Sequence, residues 1–353
     1  MPNITQAVHK SVNILIKLLP LLSFIIPFLL LYSLYPKSFE GDPTWEGTWQ
    51  GRFFYFFFLW LTSLVIILGW ENLQASKVNK LRSIRTIAFI ITLLLPTIYI
   101  VVANYCGINT IIADLAKQNS IHFANLMPLA VEYFVFAALF NLIIFLAYGV
   151  KGIKDFSISA FFLVAVGVLY VIDDVYPYGR FTPFQILTTT TAGLAATVLN
   201  LLGYPTSISF MRDSYYGYMP SLKVLDPINQ SLTKAKFEIA WPCAGVEGLI
   251  IYTITILLFL KKTPLSWRER IIYFVIGAQI TYFINALRIA SIFVIAINSG
   301  WRPNYMPPEV MRFHNIYGPL FSISWIIAYP LIILVSRALW EKIRNCKTSK
   351  GMT

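Results

Sequence analysis

Apolar run length constrains this chain more than any other feature. Ser11–Tyr35, Gly51–Trp70, Thr86–Tyr105, Pro128–Val150, Ser157–Val175, Gly245–Leu260, Ile271–Ser299 and Ile316–Ser336 each approach or exceed the ~20 residues a helix needs to cross the hydrocarbon core. Composition agrees: 57% of the 353 residues are hydrophobic and 12% charged, with a mean hydropathy of +0.67. A water-soluble chain carries roughly twice that charge fraction. The predicted fold is an all-α polytopic membrane protein of about eight spans, forming one integral membrane domain over residues 1–353. The first run is longer than a signal-peptide core and ends in no small-residue cleavage site, so it reads as a retained span.

The net charge of +12 does not point to nucleic acid. Basic residues sit in short loops between apolar runs, and no loop carries a long basic tract or an RNA-binding motif. Lys77–Arg85, Lys151–Lys154, Lys261–Arg270 and the tail with Arg337, Lys342, Arg344, Lys347 and Lys350 alternate with loops of balanced charge. Placing these and the N-terminus in the cytoplasm satisfies the positive-inside bias. The expected location is the cell membrane, multi-pass. Three cysteines (Cys106, Cys243, Cys346) form no CxxC pair, and His9, His122 and His314 are too scattered for a metal centre. No metal or cofactor is expected.

Two segments interrupt the alternation. Phe184–Gly203 has helical character, with Gly203 a plausible C-terminal cap. Its four consecutive threonines make a weak span, and counting it as one would invert part of the topology, so it reads as a re-entrant or interfacial helix. Tyr204–Trp241 is polar, with β-like runs at Ser207–Arg212 and Lys236–Ala240 separated by the turn-prone Asp226-Pro227-Ile228-Asn229. It is expected as a small extracytoplasmic β-like segment leading into Pro242-Cys243-Ala244-Gly245.

Ionisable groups within spans are functional candidates by default. Cys243 opens the sixth span, where the partial positive charge of a helix N-terminus favours thiolate; it could also be a small packing residue. Arg288 lies within an apolar helix at a cost of about 2.5–3.5 kcal/mol unless it finds partners. With Thr281 and Asn285 it forms a polar stripe on one helix face. A structural ion pair with Glu247 or Glu132 is the alternative. His314 lies where the chain re-enters the membrane; it could instead bind a headgroup or cap a helix. A thiol, a base titrating near neutrality and a fixed cation are together the parts of a thiol acyl-transfer site.

The segments WPCAGVEGLIIYT, NALRIASIF and FHNIYGPLFSISW resemble, in order and spacing, the three signature segments of the exosortase/archaeosortase family. The resemblance covers residues 184–336, with Cys243-Ala-Gly in place of the commoner Cys-Ser-Gly. The length of Tyr204–Trp241 resembles the archaeal branch. The resemblance implies that Cys243 is the nucleophile, Arg288 the essential arginine and His314 the general base or acid. It also implies a membrane-embedded cysteine transpeptidase acting on the extracytoplasmic face. Its substrates would be C-terminal sorting signals of secreted proteins, and its acceptor an amine, plausibly on a membrane lipid headgroup. A thiol hydrolase releasing its product to water, and a transporter or lipid-binding protein using Arg288 to hold an anion, are the competing readings.

Overall fold

The computed structural model describes residues 4–39, 51–70, 73, 84–176, 181–213, 217–263, 265–303 and 305–350. The chain is a polytopic, all-α helical membrane protein carrying a small open three-stranded sheet. Among the described residues, Lys17–Leu34, Thr86–Tyr105, Met127–Val175, Trp267–Asn298 and Leu320–Arg337 are long and apolar enough to cross a membrane. Shorter apolar helices cover Phe54–Ile67, Ile186–Leu201 and Gly248–Lys261. The chain divides into two compact units, Met1–Tyr176 and Pro177–Thr353.

The N-terminal unit comprises α1 (Ile4–Leu34), α2 (Phe54–Leu68), α3 (Ile84–Tyr105), α4 (Ile108–Gln118) and α5 (Met127–Val175). The 49-residue α5 would extend about 74 Å if straight, more than twice the hydrocarbon thickness. It does not run straight. Gly149 has φ 71° and ψ −159°, a conformation that favours glycine, and the two arms fold back on each other there. Tyr133 and Tyr170, on opposite arms, have ring centroids 5.2 Å apart, and Phe140 lies 5.9 Å from Phe156. The two spans predicted at Pro128–Val150 and Ser157–Val175 are thus the arms of one hairpin.

Aromatic rings fill this unit. Phe24, Phe28, Tyr55, Phe58, Phe136 and Phe140 are all nearly inaccessible, with Phe28 and Tyr55 stacked at 4.4 Å. One end gathers Lys17, whose ammonium donates to the Trp70 carbonyl at 2.6 Å, and Tyr148, which donates to the Lys17 carbonyl. The opposite end holds Arg52 and Glu132, which form a two-pronged pair (Nε–Oε1 2.9 Å, NH2–Oε2 3.1 Å). The alternative pairing of Arg288 with Glu132 therefore does not describe Glu132, whose carboxylate is taken by Arg52. The Lys77–Arg85 loop lies outside the described residues up to position 83.

In the C-terminal unit, α6 (Thr182–Leu201) ends in a Schellman turn. Gly203 has φ 84°, the Tyr204 amide donates to the Leu199 carbonyl at 2.9 Å and the Gly203 amide to Asn200. This helix is continuous and lies beside α8 (Trp267–Asn298): Leu187 and Thr191 meet Tyr282, while Ala192–Leu199 pack with Ile289–Ala296. The turn delivers the chain into an antiparallel meander of β1 (Thr206–Asp213), β2 (Gly217–Leu225) and β3 (Thr233–Glu238). Leu222 and Val224 project from one face, as residues two apart on a strand must, and bury against α6 and α8. Phe237 meets Phe293 and Trp301. The sheet thus rests on α6 and α8, and β3 leads directly into the Cys243 segment.

Helix α7 (Val246–Lys262), α8, the short α9 (Pro308–Arg312) and α10 (Gly318–Lys350) complete the unit. Gly277 on α8 admits Tyr252 of α7 and Tyr329 of α10 where any Cβ would collide with both. Tyr252 then donates to the Phe274 carbonyl at 2.8 Å and Tyr329 to that of Tyr273 at 2.7 Å. These bonds fix three helices in register. α8 begins at a capping box formed by Ser266 and Glu269, so its first turn uses residues expected in the preceding loop.

Candidate active site

Three elements converge on α8. The first is a four-residue 3₁₀ turn, Trp241–Ala244, joined to α7 by Gly245 with φ 88°. Cys243 lies in this turn, partly buried, and packs against the cluster containing Ile289 and Ala290 of α8. The N-cap of α7 is Gly245, which has no side chain of its own to accept from the first amides of the helix.

The turn is tied to α8 by Asn285. Its Nδ2 donates to the Cys243 carbonyl at 2.9 Å, and the carboxamide is buried at 6% exposure. Gly245 sits flush against it: a Cβ there would lie 2.9 Å from the Asn285 Cγ and Nδ2. Both the left-handed backbone and the lack of space require glycine at 245. Thr191 on α6 approaches from the other side, 3.3 Å from the Ala244 carbonyl and 2.8 Å from the Tyr282 hydroxyl.

Arg288 is one helical turn beyond Asn285 on α8. Its NH2 donates to the backbone carbonyl of His314 at 3.0 Å, while Nε is buried without a hydrogen-bond partner among the described residues. The contact is to the histidine's main chain rather than its imidazole. Gly318 lets the guanidinium lie against α10, since a Cβ at 318 would overlap Nε. Of the two carboxylates expected as structural partners, Glu132 is taken by Arg52, and the Glu247 side chain lies outside the described residues.

His314 occupies a π-helical turn, Phe313–Tyr317, between α9 and α10. The Gly318 amide reaches back five residues to the Phe313 carbonyl, the wide-turn bond that frequently marks functional positions in helices. The imidazole is half-buried, and its pKa is pulled from 6.5 down to about 4, first by burial and then by the Arg288 charge. It is therefore neutral at pH 7, but a weaker base than the near-neutral imidazole expected from the sequence, because burial and the Arg288 charge disfavour its protonated form.

The structure brings all three predicted residues to one helix: Cys243 through Asn285, and the His314 segment through Arg288. Thr281, the third member of the predicted stripe, instead accepts from Trp325 Nε1 at 3.2 Å and donates to the Gly277 carbonyl at 2.7 Å, so it holds α10 to α8. Sequence reasoning missed the contacts of Thr191, Tyr282 and Gly318. Thr191 lay in the threonine run read only as a weakness, and Gly318 directly follows the His314 segment. Among the described residues, no group of three or more His, Cys, Asp or Glu gathers to hold a metal.

Fold and site together define a multi-pass membrane protein with a thiol at the start of one apolar helix and an arginine inside the next. Residues 45–330 match the family described as Transmembrane exosortase, and the chain belongs to that family. It is thus an exosortase-type membrane protein, of the kind that processes sorting signals. No curated protein and no solved structure matches the chain.

Proposed function

We propose that the protein is a membrane-embedded cysteine transpeptidase with Cys243 as nucleophile, His314 as proton carrier and Arg288 as the cation holding the oxyanion or the substrate backbone. The observation that carries this reading is the convergence on α8: the Asn285–Cys243 bond and the Arg288–His314 bond leave the same helix one turn apart. The neutral His314 takes the thiol proton, and the Cys243 Sγ attacks the scissile carbonyl carbon. The tetrahedral oxyanion forms beside Arg288, whose Nε is a donor in want of an acceptor. The C–N bond then breaks, and the leaving amine departs with the proton from His314, leaving a thioester on Cys243. An acceptor amine attacks that thioester, forms the new amide and returns the thiol.

The substrate in this reading is the C-terminal sorting signal of a secreted protein, whose apolar segment docks within the bilayer. The acceptor is an amine, and a lipid headgroup suits an enzyme held in the membrane. The outer face is favoured because the last turn of α7 and the first turn of α8, at the end of α8 remote from Arg288, carry Lys261, Lys262, Arg268 and Arg270.

Co-expression with a tagged secreted protein bearing such a signal tests the reading. Cys243→Ala is expected to accumulate in the membrane and leave the substrate uncleaved, while Cys106→Ser and Cys346→Ser process it as the parent does. Mass spectrometry of the processed C-terminus should find an amine adduct; a free carboxylate would replace transfer with hydrolysis. Processing by Cys243→Ala at the parent's rate would end the nucleophile assignment.

A further inference from the structure

A nucleophile in a four-residue 3₁₀ turn needs something besides that turn to hold it. Such turns are short and their hydrogen bonds poorly aligned; here the Cys243 amide donates back to Ala240 at 3.0 Å. Gly245, the N-cap of the helix that follows, has no side chain to brace the turn. The orientation of the Cys243–Ala244 peptide is consequently set by groups from neighbouring helices.

Asn285 supplies the best-formed of these contacts. Its Nδ2 must be the atom facing the Cys243 carbonyl, because an amide oxygen could not donate there. Since a peptide unit is planar, holding that oxygen fixes the whole plane between Cys243 and Ala244. Gly245 lies so close to the carboxamide that no Cβ would fit between them, and Asn285 is buried away from competing water. Asn285 and Arg288 are three residues apart on a rigid helix and share a face, so one element sets the distance from the cysteine's backbone to the guanidinium.

Thr191 makes a weaker second hold. Its hydroxyl and that of Tyr282 have two protons to serve three contacts: Ala244 O at 3.3 Å, each other at 2.8 Å, and Leu187 O at 2.9 Å. Thr191 therefore grips the Ala244 carbonyl only if either the bond between the two hydroxyls or the Tyr282–Leu187 bond is given up.

We propose that Asn285 is the positioning residue of the site, holding the Cys243 peptide plane in register with Arg288; this rests on the reading of Cys243 as nucleophile. The test uses the full-length protein in detergent with Cys106 and Cys346 replaced by serine. Asn285→Leu and Asn285→Asp keep the size of the side chain; leucine removes its donor outright, and aspartate removes it only while its carboxyl is ionised. Processing of a sorting-signal peptide should lose about 10²-fold in kcat, the effect of ångström-scale misplacement, with KM within about threefold and the melting temperature near the parent's. Alkylation of Cys243 by N-ethylmaleimide across pH supplies a second readout. The Asn285→Asp profile should move to higher pH than that of Asn285→Leu, because a carboxylate beside the Cys243 carbonyl disfavours the thiolate.

Unchanged kcat in both variants would overturn the proposal. So would failure of both variants to accumulate, which would make Asn285 a structural residue; if only Asn285→Leu fails, Asn285→Asp decides. Cys243→Ala run in parallel separates the two ideas. If it still processes substrate, the nucleophile assignment falls, while the alkylation profiles still report whether Asn285 acts on the thiol.

Discussion

Arg52 in the N-terminal unit and Arg288 in the C-terminal unit face the same difficulty, a guanidinium among apolar helices, and are given different company. Arg52 is 4% exposed. Its fork grips both oxygens of Glu132, its NH1 meets Ser38 Oγ at 3.2 Å, and its plane lies 4.4 Å from the Tyr35 ring centroid. Tyr55 adds a further hydrogen bond to the same carboxylate at 2.8 Å. Arg288 has one main-chain carbonyl and a buried Nε with no partner among the described residues. A neutralised arginine stabilises the fold around it; one short of acceptors keeps capacity for a charge that is not yet there. Aromatic packing follows the same division: it surrounds Arg52, whereas glycines at 245 and 318 clear space beside Asn285 and Arg288.

The contrast can be broken most directly at Glu132. Glu132→Leu leaves the Arg52 charge buried and unpaired, which should destabilise the protein by about 3–5 kcal/mol. The loss would be read as a lower melting temperature and poor accumulation in membranes. A variant within 1 kcal/mol of the parent, roughly the value of an exposed pair, would remove the structural role given to this ion pair.

Arg288→Lys sharpens the other half. Lysine keeps the charge and loses the planar fork, so a structural cation would tolerate it. Loss of a well-placed donor to an oxyanion instead lowers the rate by about 10²–10³. The expected outcome is normal accumulation with processing reduced by that factor; a variant retaining most of its activity would take Arg288 out of the chemistry.

The smallest effect concerns His314 and pH. Its folded pKa, about 4, lies below the ordinary 6.5, so the unfolded chain takes up the proton first. This group's contribution to stability is full above pH 6.5 and is lost progressively as pH falls toward 4. His314→Gln should flatten that decline, seen by comparing melting temperatures at pH 7.5 and 4.5. Parallel declines in parent and variant would contradict the depressed pKa. In processing assays the acid limb due to His314 should lie nearer 4 than 6.5.

Much of this architecture is legible in sequence because hydrocarbon imposes a length and a polarity on every span. The helices over Thr86–Tyr105 and Trp267–Asn298 follow from apolar runs alone, and the Gly203 turn follows from a glycine after a helical pattern. Strand β2 is not among the β-like runs named from the sequence; Pro220 interrupts it, and proline in a strand argues against a ladder. It is accommodated because a proline carbonyl still accepts, here from the Ile239 amide. The amphipathic α4 was also missed, although Ile108, Ile111 and Leu115 recur at helical spacing. For the site, Cys243, Arg288 and His314 could be proposed from residue type and order. What holds them could not, since the partners of Asn285 and Thr191 lie 42 and 53 positions away along the chain.

The wide turn at Phe313–Tyr317 has a consequence for heredity. It contains one residue more than an α-helix would use there, and each α-helical residue turns the chain by about 100°. Deleting a single codon between His314 and Gly318 would let the segment wind as ordinary helix, still apolar and still able to enter the bilayer. It would also change the direction in which His314 leaves the helix relative to α10. Descendants with that deletion would keep the membrane architecture and lose the histidine's place in it, so silent paralogues in such a lineage should be sought by counting residues across this turn as well as by looking for a lost cysteine.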